Sequence, residues 1–219
     1  MVTVENVSFN YKNKYQTVKA VRSVSAEFLR GKLYAIVGKS GSGKTTLISL
    51  LAGLELPLEG DIIYDGENLR RVNLALYRRN KASLIYQSFN LFPLLTALEN
   101  VELPLKIKGI SKAEIRKKAA AALESVGLDM PFHKRFPAML SGGEQQRVAI
   151  ARSLATEAEL ILADEPTGNL DSENGKTVIS ALLKLAHEYN RCVIIVTHDS
   201  QISDMADVVY QMADGAIKV

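Results

Sequence analysis

The sequence contains a single cysteine among its 219 residues, and this scarcity already bears on where the protein works. One cysteine excludes any disulfide within the chain, which fits a reducing compartment. Cys192 lies in the apolar run of residues 192–196. We therefore expect a buried and unreactive thiol at this position rather than a nucleophile.

Long apolar runs are also missing from the chain. No stretch approaches the ~20 residues that a helix needs to cross a bilayer, so we expect another chain to span any membrane that the protein serves. Residues 1–11 lack a basic segment followed by a long apolar one, and no signal peptide is expected. Internal repeats and sustained heptads are absent as well, which argues against long coiled-coil arms.

The net charge of +3 is too small to indicate a nucleic-acid partner. The distribution of charge says more than the total. Residues 1–50 carry eight Lys and Arg against two acidic residues, whereas residues 157–175 carry six acidic residues and no basic one. This separation suits a site that holds a polyphosphate and its metal ion, although chance clustering of charges on solvated faces produces the same pattern.

Hydrophobic periodicity predicts an α/β fold with two kinds of sheet. Two runs within residues 2–29 alternate apolar and polar side chains, as in an antiparallel sheet with one wet face. In the second half, continuous apolar strands flank a helical pattern, which predicts a parallel sheet covered on both faces. Further strands are predicted at residues 32–37, 61–64, 83–86, 160–163, 192–196 and 207–212.

Helices are predicted on either side of a helical insertion at roughly residues 88–158. One helix is expected over residues 44–54. Within the insertion, Ser111 and Glu114 form the pattern of a capping box, and Gly127 is the expected end of that helix. Pro131 and Pro137 are expected to bracket a loop. Two apolar stripes support helices, namely Ile115, Ala119, Leu123 and Val126 in the insertion, and Val178, Leu182, Leu185 and Tyr189 after it.

Residues 38–45, here called the glycine loop, match the P-loop pattern of two glycines separated by four residues and followed by Lys and Thr. Glycines let the backbone approach phosphates closely, and the backbone N–H groups and the helix that follows attract anions. Lys44 supplies a mobile charge for the β- and γ-phosphates, and Thr45 a hydroxyl for Mg²⁺. The pattern by itself does not choose among kinases, GTPases and ATPases. The predicted nucleotide-binding residues here are Gly38, Lys39, Ser40, Gly41, Ser42, Gly43, Lys44, Thr45 and Thr46.

Two acidic residues follow the apolar strand predicted at residues 160–163. Asp164 at the carboxyl end of the strand is expected to lie beside the glycine loop and to bind Mg²⁺. Glu165 is placed to orient or deprotonate an attacking water. Without a glycine loop in the same chain, the two acidic residues would indicate the start of an ordinary loop as strongly as a metal site.

Residues 140–147, here called the signature segment, closely resemble the signature motif of the ATP-binding subunits of ABC transporters. Ser141 and Glu144 also match a capping box for a helix over residues 142–154. The same residues can cap the helix and form the signature motif. A capped helix with a glycine-rich first turn offers free N–H groups and therefore a second anion site. The resemblance implies that two chains share each ATP, with Ser141, Gly142, Gly143 and Glu144 of one copy lying over the γ-phosphate held by the other.

The same resemblance covers essentially the whole chain and implies roles for further residues. Gln87 resembles the glutamine that contacts Mg²⁺ and leads into the helical lobe, and His198 resembles the switch histidine near the γ-phosphate. Residues 168–171, which end at Asp171, resemble a loop that contacts the opposite subunit. Tyr11 is similar to the aromatic residue that stacks on adenine, with Phe9 and Tyr15 nearby.

The family implies a P-loop NTPase core with an antiparallel β subdomain and an inserted α-helical lobe. Residues 1–87 and 159–219 would form the catalytic core with the β subdomain, and residues 88–158 the lobe. Implied ligands are ATP and Mg²⁺. Implied partners are a second ATPase subunit, expected to be an identical chain, and an integral-membrane permease. The location would be cytoplasmic, peripheral on the inner face of the cell membrane.

Residues 160–171 and 96–105 most resemble the subfamily of macrolide exporters, lipoprotein-releasing pumps, cell-division ATPases and antimicrobial-peptide resistance transporters. This implies export or extraction of a peptide, a lipid-like molecule or an antimicrobial compound. Lys39 departs from the small residues frequent there and adds charge at the rim of the loop. Residues 89–95 are apolar for a loop, which suits either a docking surface or local core.

Three other functions share parts of this pattern. A mechanical or regulatory ATPase of the same family would have an identical ATP site and move no substrate. A DNA-repair ATPase with the same signature would need heptad arms, which the chain lacks. A simple P-loop kinase would leave the signature segment and the region around Asp171 unexplained.

Overall fold

The computed structural model describes residues 1–12 and 14–218, and they form two β-sheets and a set of helices. The strands are β1 Val2–Lys12, β2 Thr17–Phe28, β3 Lys32–Val37, β4 Glu59–Tyr64, β5 Glu67–Asn68, β6 Ala82–Ile85, β7 Leu160–Asp164, β8 Cys192–Thr197, β9 Val208–Ala213 and β10 Ala216–Lys218. The helices are α1 Lys44–Leu51, α2 Leu74–Asn80, α3 Ala97–Ile107, α4 Lys112–Ser125, α5 Met130–His133, α6 Gly142–Ala155, α7 Ser172–His187 and α8 Ser200–Met205, with a 3-10 turn at Pro137–Met139.

The larger sheet has six strands in the order β10-β9-β3-β8-β7-β6. Five of them run parallel, and β10 pairs antiparallel with β9. The pairings Val37 with Thr197 and Asp164 with Val196 bring the carboxyl ends of β3, β7 and β8 to one edge. The glycine loop, the acidic pair and His198 lie at or just after these three strand ends in the sequence. The sheet therefore brings them together at one edge.

Both faces of the parallel sheet are buried, which confirms the sequence-based prediction. Alternate residues of β8 belong to two separate apolar clusters, Val193 and Ile195 to one and Ile194 and Val196 to the other. The first cluster includes α3, α4, α6 and α7, and the second includes α1 and the antiparallel sheet. A strand covered on both sides requires a continuous apolar sequence, which residues 192–196 provide.

The smaller sheet has the order β2-β1-β4-β5 and is antiparallel throughout, as the alternating pattern predicted. Its inward residues are buried, including Val4 and Val24, which are 1% exposed. Val18 departs from this pattern and is 47% exposed. Register shifts along β1 and β2 rotate this end of the hairpin, and Val18 pairs with Tyr11.

The helical region between β6 and β7 contains α3 to α6. The predicted stripe of α4 is buried, and Gly127 ends the helix with a φ of +76°. The predicted capping box at Ser111 does not form, because the Ser111 hydroxyl donates to the Glu114 carboxylate at 3.4 Å instead of accepting a backbone N–H. Thr96 and Glu99 form a capping box at the start of α3, which was not predicted.

Several predicted boundaries differ from the structure for local reasons. The helix expected over residues 44–54 ends at Leu51, because Gly53 adopts a left-handed φ of +65°. Tyr189 lies beyond the end of α7. Pro131 lies inside the short helix α5, and Pro137 opens the 3-10 turn, so both begin turns of helix rather than bracket a loop. The short helix α2, capped by Asn73, was not predicted.

Within the described residues, none of the helices has the length and apolar character that a membrane crossing requires.

A cluster of charged groups lies at the amino end of β7. The Glu159 carboxylate accepts hydrogen bonds from the Arg30 guanidinium, from Lys81 Nζ at 3.3 Å and from the Tyr64 hydroxyl at 3.2 Å. Arg30 also donates to Asp65 at 3.1 Å. Hydrogen bonding to Arg30, aided by Lys81, lowers the pKa of Glu159 from 4.5 to about 2. Glu159 therefore stabilises the fold when it is ionised.

We expect Glu159→Gln to destabilise the protein at pH 7 by about 1 kcal/mol, a value reduced by partial exposure to solvent. Because the folded-state pKa of Glu159 is lowered, its contribution is complete above pH 4.5 and is lost as the pH falls toward about 2. Urea unfolding at pH 7 and pH 3 measures the difference. The control is Glu188→Gln at the exposed Lys184–Glu188 pair, with little effect expected at either pH. An equal loss at both pH values would contradict the prediction.

Candidate functional site

The glycine loop connects β3 to α1 and requires glycine for steric reasons. Gly43 has a φ of +101°, and a Cβ there would lie 2.1 Å from the Ala20 carbonyl oxygen. A Cβ on Gly38 would lie 2.1 Å from the Met212 carbonyl oxygen. Gly41, with a φ of +77°, has no atom within 4 Å of its ideal Cβ position, so open space lies beside it. The loop is therefore held against the fold at its two ends and is open at its middle.

The Lys44 side chain folds back over the loop. Its Nζ donates to the carbonyl oxygens of Gly38 at 2.7 Å and Lys39 at 3.1 Å, and the residue is only 7% exposed. The ammonium group is thus held at the mouth of the loop, at the amino end of α1. A cation, a helix N-terminus and a glycine-rich turn at one place form an environment for phosphate groups.

A cleft of about 760 Å³ extends from this loop across the edge of the parallel sheet. Gly38 and Ser42 are set apart from it and line a neighbouring recess behind the loop, where Ser42 is buried. All the other residues that the sequence proposed for nucleotide, metal and water in one chain line the cleft. They are Tyr11, Lys39, Ser40, Gly41, Gly43, Lys44, Thr45, Thr46, Gln87, Asp164, Glu165 and His198.

Tyr11 is the one of the three candidate aromatics that lines the cleft. Its side chain is 48% exposed, and its hydroxyl accepts a hydrogen bond from Thr46 at 3.5 Å. Phe9 is buried and supports Tyr11 edge-on, with ring centroids 5.1 Å apart. Tyr15 is exposed and is not among the cleft residues. The structure thus separates three aromatics that the sequence could not distinguish.

Asp164 and Glu165 lie side by side at the carboxyl end of β7 in different surroundings. Thr45 Oγ1 donates to Asp164 at 3.3 Å, while burial raises the pKa of Asp164. The Glu165 backbone has a φ of +47°, which turns its side chain away from the strand direction. Glu165 Oε1 lies 2.9 Å from His198 Nδ1. Two groups that are 33 residues apart in the chain thus become a hydrogen-bonded pair.

Thr197 is a member of the site that the sequence analysis did not select. It is fully buried at the end of β8, and its hydroxyl donates to Glu165 Oε2 at 3.1 Å. The signal was present in the sequence, because a hydroxyl residue closes an otherwise apolar strand. A buried hydroxyl needs a partner, and this one is at the site.

The signature segment lies outside the cleft of its own chain. Ser141 is the exposed N-cap of α6, and the capping box with Glu144 forms as predicted, with contacts of 2.7 and 3.3 Å. A Cβ on Gly143 would lie 2.4 Å from the Asn174 side chain. Asp171 is exposed and caps α7 by accepting the N–H groups of Glu173 and Asn174. None of the residues predicted to act on a second copy lines the cleft, including Ser141, Gly142, Gly143, Glu144 and Asp171.

The donors at the cleft suit a magnesium ion that also binds phosphate. Within the described residues, His, Cys, Asp and Glu nowhere form a cluster of three that could hold a metal ion unaided. Thr45 and Asp164 instead supply one hydroxyl and one carboxylate, whose oxygens are 3.3 Å apart. Mg²⁺ in nucleotide sites takes one or two such protein oxygens and completes its shell with phosphate and water. The residues present therefore fit this ion.

A glycine loop between a parallel strand and a helix, with an acidic pair at the end of a strand two places along the same sheet, defines the class of P-loop nucleoside triphosphatases. The model of the ABC transporter family matches residues 21–168. The chain belongs to the ABC transporter family, and within it this is an ATPase subunit that binds ATP.

Comparisons with individual proteins agree with this assignment. The lipoprotein-releasing system ATP-binding protein LolD 2 of Rhodopirellula baltica is 42% identical over 207 residues, which cover 90% of this chain and 81% of that protein. The macrolide export ATP-binding/permease protein MacB of Brucella melitensis is 40% identical over 220 residues, covering 99% of this chain and 34% of that longer protein. Both belong to the subfamily that residues 96–105 and 160–171 indicated.

A solved structure with the same fold comes from Methanocaldococcus jannaschii. It is a dimeric post-hydrolysis state of the ATP-binding cassette MJ0796 bound to ADP and Pi. The TM-score is 0.92 at 39% identity, and the match covers 100% of this chain and 97% of that one. This similarity confirms the predicted fold class.

Proposed function

We propose that two copies of this chain close on two molecules of ATP with Mg²⁺, and that this closure drives a separate membrane permease. Each copy would hold one ATP in its own cleft and cover the ATP of its partner with the N-terminus of α6. Opening after hydrolysis would return the permease to its first state.

One observation carries the proposal: the cleft is equipped for phosphate on one side only. Lys44, most of the glycine loop and the acidic pair line it, whereas Ser141 is exposed at an anion-attracting helix end outside it. A second copy can supply what the cleft lacks. The dimeric state of the cassette MJ0796 with ADP and Pi supports this arrangement.

Hydrolysis would use groups that are already aligned in the cleft. Thr45 and Asp164 would hold Mg²⁺, which would supply positive charge to offset that of the phosphates. Glu165 accepts a proton from the attacking water, whose oxygen bonds to the γ-phosphorus as the bond to the bridging β–γ oxygen breaks. His198, exposed to the cleft and hydrogen-bonded to Glu165, is placed to steady the γ-phosphate. ADP and phosphate then leave.

The segment of residues 89–95 is proposed as part of the surface that meets the permease. Phe92 is 50% exposed and Leu94 is 87% exposed, whereas Leu91 packs against the core of the helical region. Arg152 of α6 donates to the carbonyl oxygens of Phe89 and Asn90, which ties this segment to the signature helix. In this proposal residues 88–158 act as the lobe that transmits closure, at the inner face of the cell membrane.

The proposed cargo is a lipid-linked or amphipathic molecule that is exported or extracted from the membrane. The names of two relatives support this class, since LolD 2 belongs to a lipoprotein-releasing system and MacB to macrolide export.

Cross-linking between two different copies tests the proposal. One copy carries Lys39→Cys at the rim of the cleft, the other Gly142→Cys at the start of α6, and both carry Glu165→Gln. The only native cysteine, Cys192, is buried, so we expect it to form no cross-link of its own. We expect a disulfide-linked dimer that requires ATP and Mg²⁺. Each variant alone is the control. A cross-link that forms equally without nucleotide, or none at all, would contradict the shared site.

A further inference from the structure

We propose that Thr197 is a positioning residue that sets the orientation of the Glu165 carboxylate for water activation. This inference rests on the proposed function, because it assigns a role relative to Glu165 as the group that accepts the proton. Thr197 would act through Glu165 and not through contact with ATP.

The direction of the Thr197 hydrogen bond follows from its neighbours. The backbone N–H of Asp199 donates to Thr197 Oγ1 at 3.0 Å. The hydroxyl therefore already accepts one bond, and its single hydrogen is available for Glu165 Oε2 at 3.1 Å. Since Thr197 is 0% exposed, water does not compete for that hydrogen. The hydroxyl thus acts as a fixed donor to the carboxylate.

The contacts around Glu165 distinguish its two oxygens. Oε2 accepts from the Thr197 hydroxyl and also faces the His198 backbone N–H at 3.4 Å. Among the residues that the structure describes, Oε1 has one hydrogen-bond partner, His198 Nδ1, at 2.9 Å. A carboxylate oxygen has two lone-pair sites, so those of Oε2 are occupied while Oε1 keeps one. We infer that Oε1 is the oxygen that accepts the proton, and that Thr197 makes this choice by holding Oε2.

The position of Thr197 in the sheet explains why it can do this. It ends β8 and pairs with Val37, the last residue of β3 before the glycine loop. On the other side, β8 pairs with β7, whose Asp164 is opposite Val196. Thr197 therefore lies on the strand between the one that leads to the phosphate site and the one that Glu165 directly follows. Residues 192–196 of the same strand are all apolar and buried. An apolar side chain would therefore suit the packing at residue 197 as well, and the hydroxyl needs another explanation.

The test is a series at residue 197 that changes the donor and keeps most of the volume. Thr197→Ser keeps the hydroxyl, Thr197→Cys replaces it by a weaker donor, and Thr197→Val removes it. We expect kcat for ATP to fall by about 10- to 100-fold in Thr197→Val, because a hydrogen bond to a charged group is lost. Thr197→Ser should stay within about threefold, with Thr197→Cys between them. The KM for ATP should change by less than about twofold in all three, since the glycine loop is untouched.

Two comparisons separate positioning from a structural effect. The hydrolysis rate of Glu165→Gln is measured by single-turnover experiments with and without Thr197→Val. Adding Thr197→Val should lower this rate by less than about twofold, because Thr197 acts only through the Glu165 carboxylate, which is already absent. Equal losses in both backgrounds, a parent-like kcat in Thr197→Val, or a KM that rises in step with the loss would overturn the inference. If Thr197→Val does not fold, the other two variants decide: a higher kcat in Thr197→Ser than in Thr197→Cys supports the inference, and equal values overturn it. Parent-like turnover in Glu165→Gln itself would instead refute the proposed function.

Discussion

Glu165→Gln is expected to lower ATP turnover by at least about 10²-fold while ATP binding persists. The amide has the size of the carboxylate but cannot take a proton from water. The phosphate-binding groups are on the glycine loop, whereas Glu165 contacts Thr197 and His198. ATP would therefore bind and remain uncleaved, so ATP-bound dimers should accumulate. Phosphate release measures turnover, and light scattering with ATP and Mg²⁺ measures the dimer.

Glu159→Gln is the matched control for this experiment. It makes the same chemical change just before the other end of β7, away from the cleft. We expect turnover close to that of the parent. If Glu165→Gln released phosphate at the parent rate, Glu165 would have no role in activating water. If it lost ATP binding together with turnover, its role would be in binding and not in the chemical step.

Ser141→Asp is expected to lower ATP turnover by about 10²-fold or more, and Ser141→Asn by much less. In the proposed dimer the substituted side chain faces the γ-phosphate in the partner's cleft. A carboxylate there would meet the phosphate charge at a few ångströms, a repulsion on the order of 4 kcal/mol at an effective dielectric constant of about 20. Asparagine has the same shape and no charge, so it isolates the electrostatic effect.

Capping does not confuse this comparison, because Asp and Asn are both good N-caps for α6. The thermal unfolding midpoints of the two variants should therefore agree, while kcat and ATP-dependent dimerisation differ. A third variant, Ser141→Ala, removes the cap and shows the cost of losing it, about 1 kcal/mol. Equal turnover in the Asp and Asn variants would mean that residue 141 never approaches a phosphate, which would remove the basis for the shared site.

The glycine loop and the acidic pair could be predicted because their chemistry is local in sequence. The pattern of Gly38, Gly43 and Lys44 depends on backbone freedom and on spacing within a single turn. The parallel strands could be predicted for a similar reason, since strands buried on both faces must be apolar throughout. Helix ends were predicted less well. Ser111 shows why, since its hydroxyl donates to Glu114 rather than capping the helix, and no sequence pattern distinguishes the two outcomes.

The proximity of Asp164 to the glycine loop was predicted, but other side-chain contacts between distant segments could not be predicted from the sequence. The hydrogen bonds of Thr197 and His198 to Glu165 join two strand ends more than 30 residues apart. Whether a hydroxyl and a carboxylate meet depends on strand order and register, and only pairing across the sheet determines these. The same holds for Tyr11, which lines the cleft while Phe9 is buried and Tyr15 is set apart from it.

The sequence by itself determined the class of the protein, because phosphate binding by a glycine loop and the capped signature helix each depend on neighbouring residues. The tertiary structure alone decided that Glu165 has two unequal oxygens, and that the signature segment lies outside the cleft of its own chain. The physical reason is range: backbone conformation and helix capping act over a few residues, whereas the site is assembled by the parallel pairing of β3, β7 and β8.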